Sequence, residues 1–436
     1  MKARFLLITL LAALNLAACG GTAGAPTAAT APTAAPAAEA PSVAVAPTAA
    51  EAPTSAEAPT AAASEQPTTA AASGEAIKVG GGFALTGDES ALDLPAANGA
   101  KLAAKEINAA GGVLGRQIDL IVHDTQYKMD VTAQVAKQFV EQDKVIAVVG
   151  FTDTDSVLAS GPTIQGAGLP FITAGATSPK IPTQVGDKMF LACFGDNVQA
   201  AVGAEYGFKN FGKTAYLLLD KGVEYTTLLA GYFKARYTDL GGTIALEDQY
   251  DDKATDFSAQ IAKIKALPSQ PDFYYIAAMP YNVGPVVKQF RDAGLTGPII
   301  GGDGYDTPDL VSVAGKAAEN VFFTTHALMD VTGGTEGIKK FIAAYNKEYG
   351  HDPENAFAAL GYDSMYLLAD ALKRAGSTDA AAIQTALKAT KDFPGITGKI
   401  SYVDSNVPQK GVTVIAIKDG KFTLGAELVP DKVPAP

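Results

Sequence analysis

The sequence lacks the clustered positive charge and the multiple cysteines on which several protein classes depend. No run of Lys or Arg exceeds two residues in this 436-residue chain, and the formal net charge is −12. Nucleic acid is bound through clustered positive charge, so we expect no nucleic-acid partner. The two cysteines are Cys19, at the end of an apolar leader, and Cys193, in an apolar run that predicts a small buried residue.

Motifs of catalysis and metal binding are also missing. The three histidines are far apart in sequence and lack the spacing of metal ligands. No P-loop, Gly-x-Ser-x-Gly or Cys-x-x-Cys motif occurs. The acidic pairs at 153/155 and 251/252 lack the glycine and glutamate of an EF-hand loop, so we interpret them as helix caps or turns. We therefore predict a protein that is not an enzyme and has no cofactor and no metal site.

The first 18 residues form a predicted signal peptide. Lys2 and Arg4 precede an apolar run at 5–14, and the leader ends in Leu16-Ala-Ala-Cys19. A charged start, a short apolar stretch and small residues are typical of a secretory signal, and the run is too short for a transmembrane helix. The last four residues resemble the lipobox of bacterial lipoproteins, which implies cleavage before Cys19 and lipidation of its thiol. The alternative is an ordinary signal peptide with a chance cysteine.

Residues 19–76 have the composition of a tether. From 21 to 76 there is no aromatic residue, no Lys and no Arg, and the motif Ala-Pro-Thr-Ala-Ala begins at 25, 31, 46 and 58. Such a segment cannot bury enough apolar surface to offset the entropy of ordering the chain, so it is predicted to be disordered. A lipid anchor, a tether and a folded domain together predict an extracytoplasmic, membrane-anchored protein.

From residue 77 the pattern alternates between strands and helices. Predicted strands lie at 78–84, 118–123, 145–149, 170–173, 214–219, 243–250, 272–277, 298–301 and 321–324. Amphipathic helices are predicted between them, for example at 96–109, 130–141, 226–237, 257–266 and 283–293. This alternation predicts an α/β fold with parallel sheets covered by helices. The length suits two lobes, each a doubly wound sheet, whose ligands bind beyond the carboxyl ends of the strands.

Several segments of the folded region resemble one protein family in order and spacing. They are Ile77-Lys-Val79, Leu85-Thr-Gly87, Asn98-Gly-Ala100, Ile107-Asn-Ala-Ala-Gly-Gly112, Val148-Val-Gly150, Ala174-Gly-Ala-Thr-Ser-Pro179, Thr255-Asp-Phe-Ser258, Gly301-Gly-Asp-Gly304 and Gly361-Tyr-Asp363. Across 77–430 the chain resembles the Leu/Ile/Val-binding family of periplasmic binding proteins, the receptors of branched-chain amino acid ABC importers. The resemblance implies two Rossmann-like lobes joined by a three-strand hinge. Lobe 1 would comprise 77–196 plus 326–397, and lobe 2 would comprise 197–325 plus 398–436.

A zwitterionic ligand needs hydrogen-bond donors for its carboxylate and a carboxylate for its ammonium. Two strand-end loops, at 151–156 and 174–177, offer hydroxyls and a helix N-terminus for the first purpose. In the family that the chain resembles, the positions of Thr154, Gly175 and Thr177 bind the ligand carboxylate, and Ser156 is a further candidate. The alternative is that these hydroxyls cap a helix or stabilise a turn.

Asp303 follows a predicted strand and lies between glycines, where the resembling family has an acidic residue that binds the α-ammonium. The alternative is an Asx turn. Around the ligand's side chain the candidates are Leu92, Tyr225, Phe357 and either Met279 or Tyr281. Asp303 is shorter than the family's usual residue, and aspartates flank Thr154 where serines are common. The ligand could therefore be a polar amino acid, an amide or an aromatic acid instead of leucine.

The predicted function is capture of a branched-chain amino acid, or a related amino acid or amide, by a monomer that closes at its hinge and docks on an ABC permease. Closure requires a ligand that contacts both lobes, as Thr177 and Asp303 would allow. The alternatives are a binding protein for an aromatic acid and a sensor lobe that signals to a partner. No transmembrane helix or second domain follows Pro436, which favours transport over signalling.

Overall fold

The computed structural model describes residues 74–436. The predicted signal peptide at 1–18, the predicted lipidation site Cys19 and all but the last residues of the tether at 19–76 lie outside the described residues. Within 74–436, none of the helices combines the length and apolarity needed to cross a membrane.

The first sheet has five parallel strands and forms the centre of lobe 1. Its strands are β1 (Ile77–Phe83), β2 (Ile118–Asp124), β3 (Ala147–Gly150), β4 (Phe171–Thr173) and β5 (Met189–Leu191), in the spatial order β2-β1-β3-β4-β5. The helices that follow the first four strands are α1 (Ser90–Ala109), α2 (Met129–Gln138), α3 (Thr154–Gly166) and α4 (Ile181–Val185). Strands β3 to β5 are fully buried and mostly apolar, as expected for a parallel sheet with helices on both faces.

The chain then builds a second alternating unit. Its strands are β6 (Thr214–Asp220), β7 (Thr243–Tyr250), β8 (Phe273–Ala277), β9 (Ile299–Gly301) and β10 (Val321–Thr325). The helices around them are α5 (Asp196–Asn210), α6 (Glu224–Asp239), α7 (Ser258–Lys265), α8 (Pro280–Asp292) and α9 (Pro308–Ala314). These five strands pair in parallel, so their carboxyl ends lie at one edge of the sheet.

After β10 the chain returns to lobe 1. It adds α10 (Glu336–Tyr349), α11 (Ala356–Ala375), α12 (Ala380–Lys388) and a short hairpin of β11 (Phe393–Gly395) and β12 (Gly398–Ile400). Helix α11 packs directly on α1. A Cβ atom at Gly99 would lie 1.8 Å from the carbonyl oxygen of Ala358, and one at Gly361 would lie 1.9 Å from that of Ala96. Only glycine permits this approach, so these two residues determine how the returning chain docks.

The last crossing between the lobes comes later than the boundary at 398 that the sequence analysis expects. Ile400 and Tyr402 still pack in the core of lobe 1, and Lys410 Nζ donates to the carbonyl oxygen of Ala192 at 2.9 Å. Strands β13 (Val412–Lys418) and β14 (Lys421–Leu428) then complete a seven-stranded second sheet, in the order β14-β13-β10-β9-β8-β6-β7. The chain thus passes between the sheets after β5, after β10 and before β13.

The predicted α/β fold of two lobes with parallel sheets is confirmed. All nine strands predicted from the alternation are present, and β5, β11, β12, β13 and β14 are additional. The buried Cys193 belongs to the core of lobe 1, as predicted.

Candidate functional site

Loops from both lobes meet at the carboxyl ends of the parallel strands and line a small cavity, whose unfilled space of about 280 Å³ includes its opening to solvent. The lining residues are Glu89, Leu92, Thr152, Asp153, Thr154, Gly175, Ala176, Thr177, Tyr225, Met279, Pro280, Asp303, Gly304 and Phe357. Eight of the nine predicted ligand-binding residues are among them. The ninth, Ser156, is buried but is not a lining residue.

The loop after β3 presents two hydroxyl groups to the cavity. Asp153 caps helix α3, because its Oδ1 accepts from the N–H groups of Asp155 at 2.9 Å and Ser156 at 3.1 Å. The alternative in which Thr154 or Ser156 is the cap is therefore wrong. The Oγ1 atoms of Thr154 and Thr152 are buried without a hydrogen-bond partner among the described residues. Buried hydroxyls are normally paired, so two free ones beside a helix N-terminus suit an incoming carboxylate.

The loop after β4 supplies the rest of this side of the cavity. The Oγ1 atom of Thr173 accepts from the N–H groups of Gly175 at 3.3 Å and Ala176 at 3.0 Å, which fixes the turn. A Cβ atom at Gly175 would lie 2.7 Å from the ring of Phe357, so glycine allows this ring from α11 to reach the cavity. Thr177 follows and is buried at the cavity wall.

Asp303 faces these loops from lobe 2, directly after β9. Its Oδ1 accepts from Nε2 of Gln199 at 2.9 Å, and its Oδ2 lies 3.0 Å from Nε2 of His326. Gln199 Oε1 in turn accepts from the N–H of Asp303 at 3.1 Å and from the hydroxyl of Thr324 at 2.9 Å. A carboxylate has about four acceptor positions, so two fixed donors leave room for a ligand ammonium.

His326 supports this acid, and the sequence analysis did not assign it to the site. Its ring stacks on Phe194 with 3.9 Å between the centroids and meets Phe357 edge-on at 5.8 Å. Burial lowers the pKa of His326, so we assign a neutral ring whose Nε2–H donates to Asp303. Because His326 directly follows β10, it ties Asp303 to one of the crossings between the lobes.

Apolar and aromatic side chains complete the cavity wall: Leu92 and Phe357 from lobe 1, and Tyr225 and Met279 from lobe 2. The hydroxyl oxygen of Tyr225 accepts from the N–H of Gly304 at 3.1 Å, which holds the ring against the loop that carries Asp303. Tyr281, the alternative to Met279, is not a lining residue, and its hydroxyl donates to Asp252 at 2.7 Å.

The two lobes are in direct contact around the cavity. Asp153 lines the cavity, whereas Oδ2 of Asp155 accepts from the N–H of Glu224 in lobe 2 at 3.2 Å. A second link joins Lys253 Nζ in lobe 2 to Asp88 in lobe 1 at 3.0 Å. These contacts describe a closed arrangement, in which only one of the two aspartates beside Thr154 lines the cavity.

Glu89 is a lining residue that the sequence analysis missed. It directly precedes helix α1, the residue is 3% exposed, and its Oε2 has no hydrogen-bond partner among the described residues. Burial, followed by repulsion from Asp153, raises the pKa of Glu89 well above its ordinary value. Burial likewise raises the pKa of Asp153 to about 8. With Asp303, three carboxyl groups line the cavity, and no Lys or Arg is among the lining residues.

A model of the periplasmic binding protein family matches residues 76–421, which is nearly the whole folded region. The chain belongs to the periplasmic binding protein family. This periplasmic binding protein is similar to Leu/Ile/Val-binding protein homolog 1 of Brucella abortus. The two are 29% identical over 334 residues, which cover 76% of this chain and 88% of the relative.

This periplasmic binding protein is also similar to two proteins whose solved structures contain different ligands. A branched-chain amino acid transporter substrate binding protein from Streptococcus pneumoniae, in complex with isoleucine, is 30% identical with a TM-score of 0.75. That comparison covers 81% of this chain and 99% of the other. A solute binding protein of an ABC transporter from Rhodopseudomonas palustris, in complex with 3,4-dihydroxybenzoic acid, is 25% identical with a TM-score of 0.73. It covers 82% of this chain and 99% of the other.

Proposed function

We propose that this periplasmic binding protein captures an amino acid, either branched-chain or related, between its lobes and delivers it to an ABC permease. The observation that carries the proposal is the placement of complementary groups on opposite sides of one cavity. Unpartnered threonine hydroxyls beside a helix N-terminus lie on lobe 1, and Asp303 lies on lobe 2. A ligand that contacts both sides favours the closed form, because only differential affinity shifts such an equilibrium.

In this proposal the ligand carboxylate accepts hydrogen bonds from Thr152, Thr154 and Thr177 and lies at the N-terminus of α3. The α-ammonium donates to Asp303, whose position is fixed by Gln199. The ligand's side chain lies among the apolar and aromatic residues of the wall. Charged groups of both signs are then paired inside a site from which water has been expelled.

An aromatic acid is the second candidate, because one of the solved relatives was crystallised with 3,4-dihydroxybenzoic acid. Such a ligand has a carboxylate and no ammonium. The lining residues include no Lys or Arg to pair with a net negative ligand, and the Asp303 carboxyl group would be left without an ammonium partner. The cavity therefore favours an amino acid over an aromatic acid.

The proposal also places the protein outside the cytoplasm, as a monomer held to a membrane by a lipid on Cys19. The leader and the tether-like composition of 19–76 support this location. Metabolic labelling with a radioactive or clickable fatty acid tests it directly. Label should enter the full chain and be lost in Cys19→Ala, and an unlabelled wild-type chain would contradict the anchor.

Thermal melting of the purified full chain with a panel of amino acids, amides and aromatic acids tests the proposed ligand class. An amino acid at a hundred times its Kd should raise the free energy of unfolding by about 2.7 kcal/mol. Asp303→Asn should abolish this stabilisation, whereas Asp309→Asn, at an exposed aspartate of the same lobe, should preserve it. Stabilisation by an aromatic acid alone, unaffected by Asp303→Asn, would contradict the proposal.

A further inference from the structure

Glu89 is a buried residue of the cavity wall with a carboxyl oxygen that could bind a ligand. It lines the cavity, the residue is 3% exposed, and its Oε2 has no hydrogen-bond partner among the described residues. A buried carboxyl oxygen without a donor costs free energy in the empty protein. A ligand group that donates to this oxygen would remove that cost, so the position selects for a donor.

The charges around Glu89 indicate which kind of donor fits. The charged groups that act on it are Asp153, Asp93, Asp303 and Asp88, and all of them are acidic. Lys253 pairs with Asp88 at 3.0 Å, and its side chain is 60% exposed, so it does not enter the cavity. Within residues 74–436, no Lys or Arg lines the cavity beside these carboxyl groups.

A ligand that is a neutral zwitterion does not supply the positive charge that the lining carboxyl groups lack. Its ammonium is matched by Asp303 and its own carboxylate adds a negative charge, so the total charge in the closed cavity is unchanged by binding. A ligand with a second positive charge would stabilise the ionised form of these carboxyl groups, which burial otherwise disfavours. Glu89 also shares its helix start with Leu92, which is assigned to the wall around the ligand's side chain.

We propose that Glu89 is a specificity-determining residue that binds the cationic end of the ligand's side chain, so that the protein takes basic amino acids in preference to aliphatic ones. Asp153 also lines the cavity, and only its Oδ1 is engaged in capping α3. This inference rests on the proposed function, because it presumes a ligand with an α-carboxylate and an α-ammonium.

Isothermal titration of the full chain with arginine, lysine, ornithine, glutamine and leucine tests the inference. Arginine, lysine or ornithine should bind roughly ten-fold or more tightly than leucine, as expected for a hydrogen-bonded ion pair in a closed site. Glu89→Gln should reduce that affinity at least about ten-fold and change leucine binding much less. Glu141→Gln removes an exposed glutamate outside the cavity and should leave all affinities unchanged.

Glu89→Leu is a second variant that guards against a change in folding. It should weaken basic ligands and strengthen leucine, because it adds an apolar group to the wall. Equal affinity of the wild type for leucine and arginine would overturn the inference. So would an equal loss for both in Glu89→Gln, since Glu89 would then bind the α-ammonium.

The experiments distinguish a wrong assignment of Glu89 from a wrong proposed function. If leucine binds and Asp303→Asn abolishes its binding, the amino acid site stands even where Glu89 has no selectivity. If none of the amino acids binds and an aromatic acid does, the proposed function itself is wrong, and the assignment of Glu89 is wrong with it.

Discussion

At the scale of single residues, Thr154 tests whether a buried, unpartnered hydroxyl marks a ligand contact. Thr154→Val keeps the shape of the side chain and removes the Oγ1 atom, which has no hydrogen-bond partner among the described residues. We expect the ligand-free protein to be as stable as the wild type or more stable, because an unsatisfied polar atom is lost. Amino acid affinity should fall by about 1.5–3 kcal/mol, the typical contribution of a hydrogen bond to a charged group.

Calorimetric titration and thermal melting separate these two effects of Thr154→Val. Thr154→Ser retains the hydroxyl and should recover most of the affinity. A variant that melts at a lower temperature and binds with unchanged affinity would show that the hydroxyl has a structural role instead.

Single residues also show what the sequence could and could not reveal about the site. The position of Asp303 and Thr177 at the cavity was predictable because each lies in a loop that follows a strand, whereas their roles toward a ligand were implied by the family resemblance and stay predictions. Glu89 lies in a turn with other polar residues, and nothing in its sequence context distinguishes a buried acid from a solvated one. His326 is 23 residues from Asp303 in sequence, and only the fold shows that its Nε2 lies 3.0 Å from Oδ2 of Asp303.

At the scale of elements, the N-terminus of α3 depends on one cap. Asp153→Ala removes the acceptor of two N–H groups and should lower the free energy of unfolding by about 1 kcal/mol. Asp153→Asn keeps an acceptor and should remain within a few tenths of a kcal/mol of the wild type, since Asn and Asp cap almost equally well. Denaturant unfolding at pH 6 measures both, because Asp153, with a pKa of about 8, is then mostly protonated.

Asp379 provides a matched control for this prediction. It caps α12 by accepting from the N–H of Ala382 at 3.0 Å, and it is not among the residues that line the cavity. Asp379→Ala should lower stability by a similar amount and leave ligand affinity unchanged. Equal stability of Asp153→Ala and the wild type would mean that the cap contributes little.

The elements differ in how well the sequence predicts them. The strands that alternate with helices form short apolar runs, and all nine predicted ones exist. Strands β13 and β14 were missed because no helix follows either of them, and they pair antiparallel as a hairpin. Helix α1 begins at Ser90 although the prediction began after Pro95. Pro95 has no N–H to donate to the carbonyl oxygen of Ala91, and this oxygen instead accepts from Nδ2 of Asn355 at 2.9 Å.

At the scale of the whole molecule, several carboxyl groups in and beside the cleft are buried. Burial raises the pKa of Asp93 to about 7 and that of Asp306 to about 7, in addition to the raised values of Glu89 and Asp153. Asp306 also links the lobes, since its Oδ2 accepts from the N–H of Ala356 at 3.1 Å.

These raised pKa values predict that the ligand-free protein is less stable at pH 8 than at pH 5. An unfolded aspartate has a pKa of about 3.9, so between about pH 4 and the folded values near 7 and 8 the folded state binds more protons than the unfolded state. Stability then falls as the pH rises through this window, because the slope follows the difference in bound protons. Differential scanning calorimetry at the two pH values, on protein stripped of ligand, measures the fall in Tm.

Asp153→Asn removes one of the titrating groups and should reduce that fall in Tm, whereas Asp379→Asn, which changes a cap outside the cavity, should leave it intact. A Tm that rises from pH 5 to pH 8 would contradict the prediction, and it would mean that the cleft carboxyl groups are solvated in an open molecule.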